Sequence, residues 1–205
     1  MLAFVLLVLA QAPDAGVEQW ETSATEPYLV KSREVPNSDI REVWAEGDLA
    51  APVKDIEDAL CDMKRFKSFM PYVKDARELS KEPDGTVFTY TEMELPVITA
   101  RDYAVHVFTD EVPKADGSGI YRAHWVAAPD AVPQHEDFIR LTVNEGSWVV
   151  SPKAGGKSHV VYRFRADCGG LVPSWLINLG NRRGVPEVLG AIEKEAQRRY
   201  KARTK

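Results

Sequence analysis

Cysteine, histidine and long apolar runs are all scarce in this chain, and each scarcity closes a class of function. Two cysteines and four histidines occur in 205 residues. His106, His124, His135 and His159 form no set with Cys, Asp or Glu at metal-ligand spacing, so neither a metal nor a cofactor is expected. Cys61 and Cys168 could pair in an exported protein, but a domain of this size does not need the bridge, and two buried thiols are expected. No glycine-rich phosphate loop follows a strand, and Gly117-Ser118-Gly119 reads as a hairpin turn. Ser174 beside Trp175 lacks a nucleophile elbow and fits a helix start. Positive charge is not in excess either. The net charge of −5 argues against a general nucleic-acid binder, whose affinity would rest on a basic surface. Repeats and low-complexity tracts are missing.

The one long apolar run is residues 2–10, too short to span a bilayer but of the length of a signal-peptide core. No Lys or Arg precedes it, which departs from the usual leader, and no cysteine follows it, which removes a lipoprotein reading. The expectation is a leader over residues 1–12, cleaved so that the mature chain begins near Gln11, with one domain over 13–205 acting in the periplasm or outside the cell.

What is present is enough apolar content, 44%, for one sizeable core. Strands are predicted over 20–25, 28–33 and 40–49, with Pro36-Asn37-Ser38-Asp39 as the clearest turn. A helix follows from Ala51-Pro52 to Met63, carrying Val53, Ile56, Ala59, Leu60 and Met63 on one stripe, and a short second helix covers 64–70. Six strands then run over 73–80, 86–95, 103–111, 120–127, 138–150 and 159–166. The last forty residues read as a long amphipathic helix opened by Pro173. Its buried positions are Val185, Val188, Leu189, Ile192, Ala196 and Tyr200, and Gly180, Gly184 and Pro186 kink or break it near 182–186. Lys194, Arg198, Arg199, Lys201, Arg203 and Lys205 make its end basic, as the helix dipole favours. Sequential antiparallel strands with a helical pair and a terminal helix make an α+β domain.

Three separated motifs carry a resemblance: Leu95-Pro96 leading to Arg101-Asp102-Tyr103, then Gly146-Ser147-Trp148 with Pro152, then Asp167-Cys168-Gly169-Gly170 through Trp175 to Asn178. In this order and spacing the chain, from about residue 20 to 203, resembles the START lipid-transfer family. The resemblance implies a helix-grip fold, a curved antiparallel sheet around a long C-terminal helix with two shorter helices. It also implies one lipid held in a tunnel between sheet and helix, and it makes Arg101-Asp102 the start of the strand after a gating loop.

Strand alternation puts Val87, Thr89, Thr91, Met93 and Leu95 on one face of their strand and Phe88, Tyr90, Glu92 and Glu94 on the other. Both sets are bulky, so some of these groups should line an interior. The candidate lining is Met93, Tyr103, Val105, Trp125, Trp148, Tyr162, Trp175, Ile177 and Leu179, although the tryptophans would fill an ordinary core equally well. Leu95, Val97 and Ile98 around Pro96, facing Leu176 and Leu179, are the candidate gate. Some sterol-binding members of the family hold an acid and a base in the tunnel, and Glu92, Arg122 and His124 are the candidates here. Arg101 with Asp102 is first an architectural pair and second a ligand contact. The expected function is non-enzymatic lipid binding and transfer by a monomer that touches membranes transiently and binds no nucleic acid. The alternatives are a cyclase or aromatase on the same scaffold and an interaction module with a filled core.

Overall fold

The computed structural model describes residues 19–114, 118–170, 172, 177 and 180–205. Three strands, β1 (Glu21–Ala24), β2 (Leu29–Val35) and β3 (Ser38–Leu49), precede α1 (Val53–Cys61), a 3-10 turn (Met63–Arg65) and the single-turn α2 (Phe66–Phe69). β4 (Val73–Lys81), β5 (Val87–Met93), β6 (Arg101–Glu111) and β7 (Tyr121–Ala127) follow, then the two-residue β8 (Ile139–Arg140), β9 (Asn144–Lys153) and β10 (Lys157–Ala166). The chain ends in a π-helical turn (Gly180–Gly184) and α3 (Val185–Arg203).

All ten strands join one curved sheet in the order β1-β2-β3-β10-β9-β7-β6-β5-β4, antiparallel except for β8, which lies parallel to β6. The two halves of the chain therefore meet where β3 pairs with β10, with Ala45 opposite Tyr162 and Leu49 opposite Ser158. α3 packs across the inner face. Val185, Leu189, Ile192 and Ala196 recur every three or four residues and are buried against Val30, Ala45, Leu49, Val150 and Val160. α1 closes the same core with Val53, Ile56 and Ala59, the stripe its sequence shows. The α+β helix-grip architecture is thus the one expected.

Several details differ from expectation. The predicted strand over 138–150 is two strands, because Ile139 and Arg140 leave the antiparallel path to pair with Arg101 and Asp102. Within the last helix the interruption is a π-helical turn that ends at Gly184, and Pro186 then sits in the first turn of α3, where its missing N–H leaves no bond unmade. The basic end is not simply solvated. Arg199 Nη2 reaches Asp62 at 2.7 Å and Arg203 Nη2 reaches the buried Asp55 at 2.8 Å, so it bolts α3 to the α1 region. Glu195 is buried between Arg65, Arg198 and Arg199. The hydrogen-bonded Arg198 outweighs the upward push of burial and, with Arg199, lowers its carboxyl to about 2. Both cysteines are free. Cys61 is exposed rather than buried, although its sulfur lies 3.6 Å from the Tyr121 hydroxyl.

Candidate functional site

Pairing registers define the inner face, since residues directly opposite one another share a side. Tyr162 faces Trp148, Trp148 faces Ala123, and Gly146 faces both Phe164 and Trp125. Farther along the sheet Val107 faces Trp125, Val105 faces Thr89, and Thr91 faces Tyr103. This face has two regimes. Beside α1 and α3 it is closed by Val30, Ala45, Leu49, Val150, Val160 and Ala123. Beyond that closed part, Trp125, Trp148, Tyr162, Phe164, Tyr103 and Met93 keep part of their surface.

The aromatic residues of the second regime form a stacked wall. Tyr162 lies parallel to Trp148 at 3.9 Å and 5°, with Phe164 at 4.8 Å and Trp125 at 6.0 Å on either side of it. Gly146 makes this possible, because a Cβ there would overlap the Trp125 ring and the Arg163 carbonyl oxygen. Trp125 Nε1 donates to Asn144 Oδ1 at 2.9 Å, so the polar edge of the indole is satisfied within the sheet. Burial pushes the Tyr162 phenol up, with neighbouring Tyr103 adding to the effect, and pushes Tyr103 up in its turn. Both rings sit deep among protein atoms yet retain accessible surface.

Next to Tyr103, Thr91 is fully buried and its Oγ1 has no hydrogen-bond partner. The Thr91 hydroxyl lowers the Tyr103 phenol against the larger, upward effect of burial.

At the end of the sheet Arg101 is 2% exposed. Its guanidinium donates to the backbone oxygens of Thr99, Cys168 (3.2 Å) and Gly169 (3.3 Å). One buried cation thereby ties the 95–100 loop to the glycine hinge entering the last helix. Gly169 and Gly170 both take positive φ, 62° and 65°, which side chains other than glycine rarely adopt, and Ile139 packs against them. The loop itself forms an open cleft of about 580 Å³ lined by Tyr72, Glu94, Leu95, Pro96, Val97, Ile98, Thr99 and Ala100. Tyr72 joins this loop to α3: its carbonyl accepts from Glu94 N–H at 2.9 Å and its hydroxyl donates to Glu187 at 2.5 Å. That hydrogen bond, with burial, pushes the Tyr72 phenol up to about 12. Val97 is 84% exposed and held at φ 61°, a conformation that a β-branched side chain disfavours.

The outer side carries the charges. Asp102 is completely buried there, bridged by Arg140 Nε at 2.8 Å and Nη2 at 2.7 Å and by the Tyr90 hydroxyl at 2.9 Å. Burial alone would raise this carboxyl, but the Arg140 and Tyr90 hydrogen bonds outweigh it and hold it below the usual range. Arg140 also donates to the carbonyls of Pro129, Val132 and Pro133, so the 128–142 segment is pinned over the outer face of β6. Arg101 and Asp102 are therefore neighbours that serve different partners rather than a pair. A second open cleft of about 520 Å³ lies along this segment, between Pro129 and Thr142.

Met93, Tyr103, Val105, Trp125, Trp148 and Tyr162 come together on the inner face, with Val105 sealed in it. Leu95, Val97 and Ile98 form the loop as expected, and Ile177 is 41% exposed. Trp175, Leu176 and Leu179 lie outside the described residues. Alternation puts Glu92, Arg122 and His124 on the side of their strands opposite to Met93, Ala123 and Trp125. Glu92 lies 3.8 Å from Arg77, His124 lies 2.8 Å from Asp110, and Arg122 is exposed. Among the described residues no group of His, Cys, Asp and Glu could hold a metal, and no helix is long and apolar enough to cross a membrane. Thr91, Tyr72 and Arg140 were missed. Only Thr91 had a legible signal, its shared face with Met93.

A START domain model matches residues 5–202. The chain belongs to the START family. An uncharacterized protein of Pseudomonas aeruginosa is 29% identical over 87% of both chains. The phosphatidylcholine transfer protein of Rattus norvegicus is 30% identical over 71% of this chain and 68% of its own. Among solved structures, the STAR-related lipid transfer protein fragment from Xanthomonas axonopodis superposes with a TM-score of 0.75 at 26% identity, covering 87% of this chain and 98% of its own. In this START domain the curved antiparallel sheet and the long C-terminal helix make the helix-grip fold.

Proposed function

We propose that this START domain binds one lipid molecule between the inner face of the sheet and the segment leading into α3, and carries it between membranes without chemical change. Lipid binding or transfer in general is supported by the family and by the phosphatidylcholine transfer protein relative. The observation that carries the interior site is the pair Tyr103 and Tyr162, deep in the domain yet with surface to spare. Covering about 300 Å² of apolar ligand at roughly 25 cal/mol/Å² contributes on the order of 7 kcal/mol, enough to rival a bilayer only if loading and release are coupled to opening.

The opening lies between the 95–100 loop and the last helix. Val97, an exposed apolar tip, is the part that meets the lipid surface, and loosening the Arg101 bridge to Thr99, Cys168 and Gly169 frees both lips together. The non-enzymatic reading draws support from the inner face, where the described residues offer no acid and base facing each other. Asp102 and Arg140 are on the outer side with their hydrogen bonds made. The domain acts as an exported monomer after loss of the leader over 1–12. To test the reading, cysteines are placed at Val97 and Leu179 in a background lacking Cys61 and Cys168, and transfer between vesicles is compared with the pair oxidised and reduced. Transfer that stops on crosslinking and resumes on reduction is expected. Unchanged transfer with a complete crosslink contradicts this entrance.

A further inference from the structure

We propose that the face formed by α2 and the exposed side of α3 docks on anionic head groups, so that this protein works at negatively charged bilayers in preference to neutral ones. The proposal rests on the transfer reading above and adds to it a surface and the charge of the membrane it meets. The chain as a whole is acidic, with a net charge of −5, yet its cations are not spread evenly. On α3 the side away from Val185, Leu189 and Ile192 carries Glu187, Lys194, Arg198 and Lys201, all exposed, and the exposed Arg183 stands four residues before Glu187 on the π-helical turn. Glu187 is the one acid in this stripe, and it already accepts from the Tyr72 hydroxyl. Beside the stripe, residues 63–70 carry Lys64, Arg65 and Lys67, all exposed, and no acid. Arg65 Nε lies 3.3 Å from Glu195 Oε1, which fixes the two segments side by side.

The carboxylates nearby are already engaged. Glu195 is shared by Arg65, Arg198 and Arg199, and Asp62 pairs with Arg199 at 2.7 Å. Lys64, Arg183, Lys194 and Lys201 make no ion pair among the described residues, so their charge is open to a partner. Two features make that partner a bilayer. Phe66 and Phe69 meet edge to face at 5.6 Å and neither is buried, so an aromatic pair sits among the cations, the combination that suits a protein lying in head groups. α2 ends three residues before Tyr72, whose carbonyl holds the Glu94 N–H and whose hydroxyl holds Glu187, so the basic face adjoins the 95–100 loop. Docking by this face therefore sets the loop, with its exposed Val97, against the membrane.

The purified full chain is sedimented with vesicles of phosphatidylcholine alone and with vesicles carrying about 30% phosphatidylglycerol, and the lipid it carries away is measured in parallel. The anionic vesicles should bind at least about tenfold more tightly, and raising the salt to about 0.5 M should remove the difference. The combined variant Lys64→Gln, Arg183→Gln, Lys194→Gln and Lys201→Gln should bind anionic vesicles at least about tenfold more weakly, with an unchanged melting temperature because none of the four makes an ion pair. A control with Lys81→Gln, Lys114→Gln, Arg122→Gln and Lys157→Gln removes the same charge from exposed positions on the strands and their connections and should keep the preference. Equal binding to both kinds of vesicle, or equal losses in the two variants, overturns the surface. Binding to soluble polyglutamate but not to anionic vesicles makes the partner an acidic protein and overturns the bilayer. Lipid carried from neutral vesicles with no anionic preference overturns the docking and leaves the transfer reading standing. Anionic binding that depends on the four cations, with no lipid carried from either kind, overturns transfer and leaves the docking surface standing.

Discussion

Arg140→Met removes the cation that holds Asp102 and leaves a fully buried carboxylate with only the Tyr90 hydroxyl. Breaking one side of a buried, hydrogen-bonded ion pair costs about 3–5 kcal/mol. For a domain of this size each kcal/mol moves the melting temperature by about 2–4 °C, so a fall of roughly 6–20 °C is expected. Asp102→Asn should cost less, because Arg140 keeps the carbonyls of Pro129, Val132 and Pro133 as acceptors. The pH dependence gives the sharper test. In the native protein the Asp102 carboxyl is held below its usual range, so its contribution is present above the unfolded value of about 4 and is lost as pH falls through the lower folded value. In Arg140→Met burial, the largest influence on this carboxyl, is opposed mainly by the Tyr90 hydrogen bond and raises the folded value, so the variant should be more stable near pH 4 than near pH 8. Thermal melts followed by circular dichroism between pH 4 and pH 8 measure both effects. A variant within about 2 °C of the native protein, with the same pH trend, would refute the assignment of Arg140 as the counter-charge that pins the 128–142 segment.

Val97→Glu should leave stability within about 0.5 kcal/mol, since the side chain is 84% exposed, but should slow transfer between vesicles severalfold, and undiminished transfer would remove Val97 from the membrane contact. Glu195→Gln should flatten the acid limb of the stability curve. Glu195 contributes fully above about 4.5 and loses its contribution as pH falls through about 2, so urea melts from pH 5 to pH 2 should converge for the two proteins. Intact mass of protein from its native host should begin near Gln11, and a retained Met1 on cytoplasmic protein would remove the proposed export.

Turns, the α1 stripe and the antiparallel succession were legible because each rests on local spacing: Pro36-Asn37 closes a hairpin with Asn37 at φ 60°, and Val53, Ile56 and Ala59 are buried together. The inside of a strand was not. A period of two separates Glu92 from Met93 but does not say which of them shares a face with Trp125 and Trp148. Bulky residues on both faces of β5 suggested that either could be lining. The outer set, Tyr90 with Ala104 and Asp102 on β6, is bulky and buried for another reason, since the 128–142 segment folds over it and Arg140 fastens it down. Arg140 is 38 residues from Asp102 in sequence, and no local pattern pairs them. The same segment split the predicted strand over 138–150. Positive φ at Tyr72 and Val97 had no signal either, because neither is a residue type that favours it.

Lipid held in the interior can be read directly from protein purified under native conditions. Its mass should exceed that of the polypeptide by one lipid, and solvent extraction should release that lipid in a one-to-one ratio. The replacement Tyr162→Ala at the stacked wall should lower the occupied fraction while the melting curve remains cooperative. Native protein that carries no lipid, and takes none from vesicles of any composition, would contradict an interior binding site in this START domain.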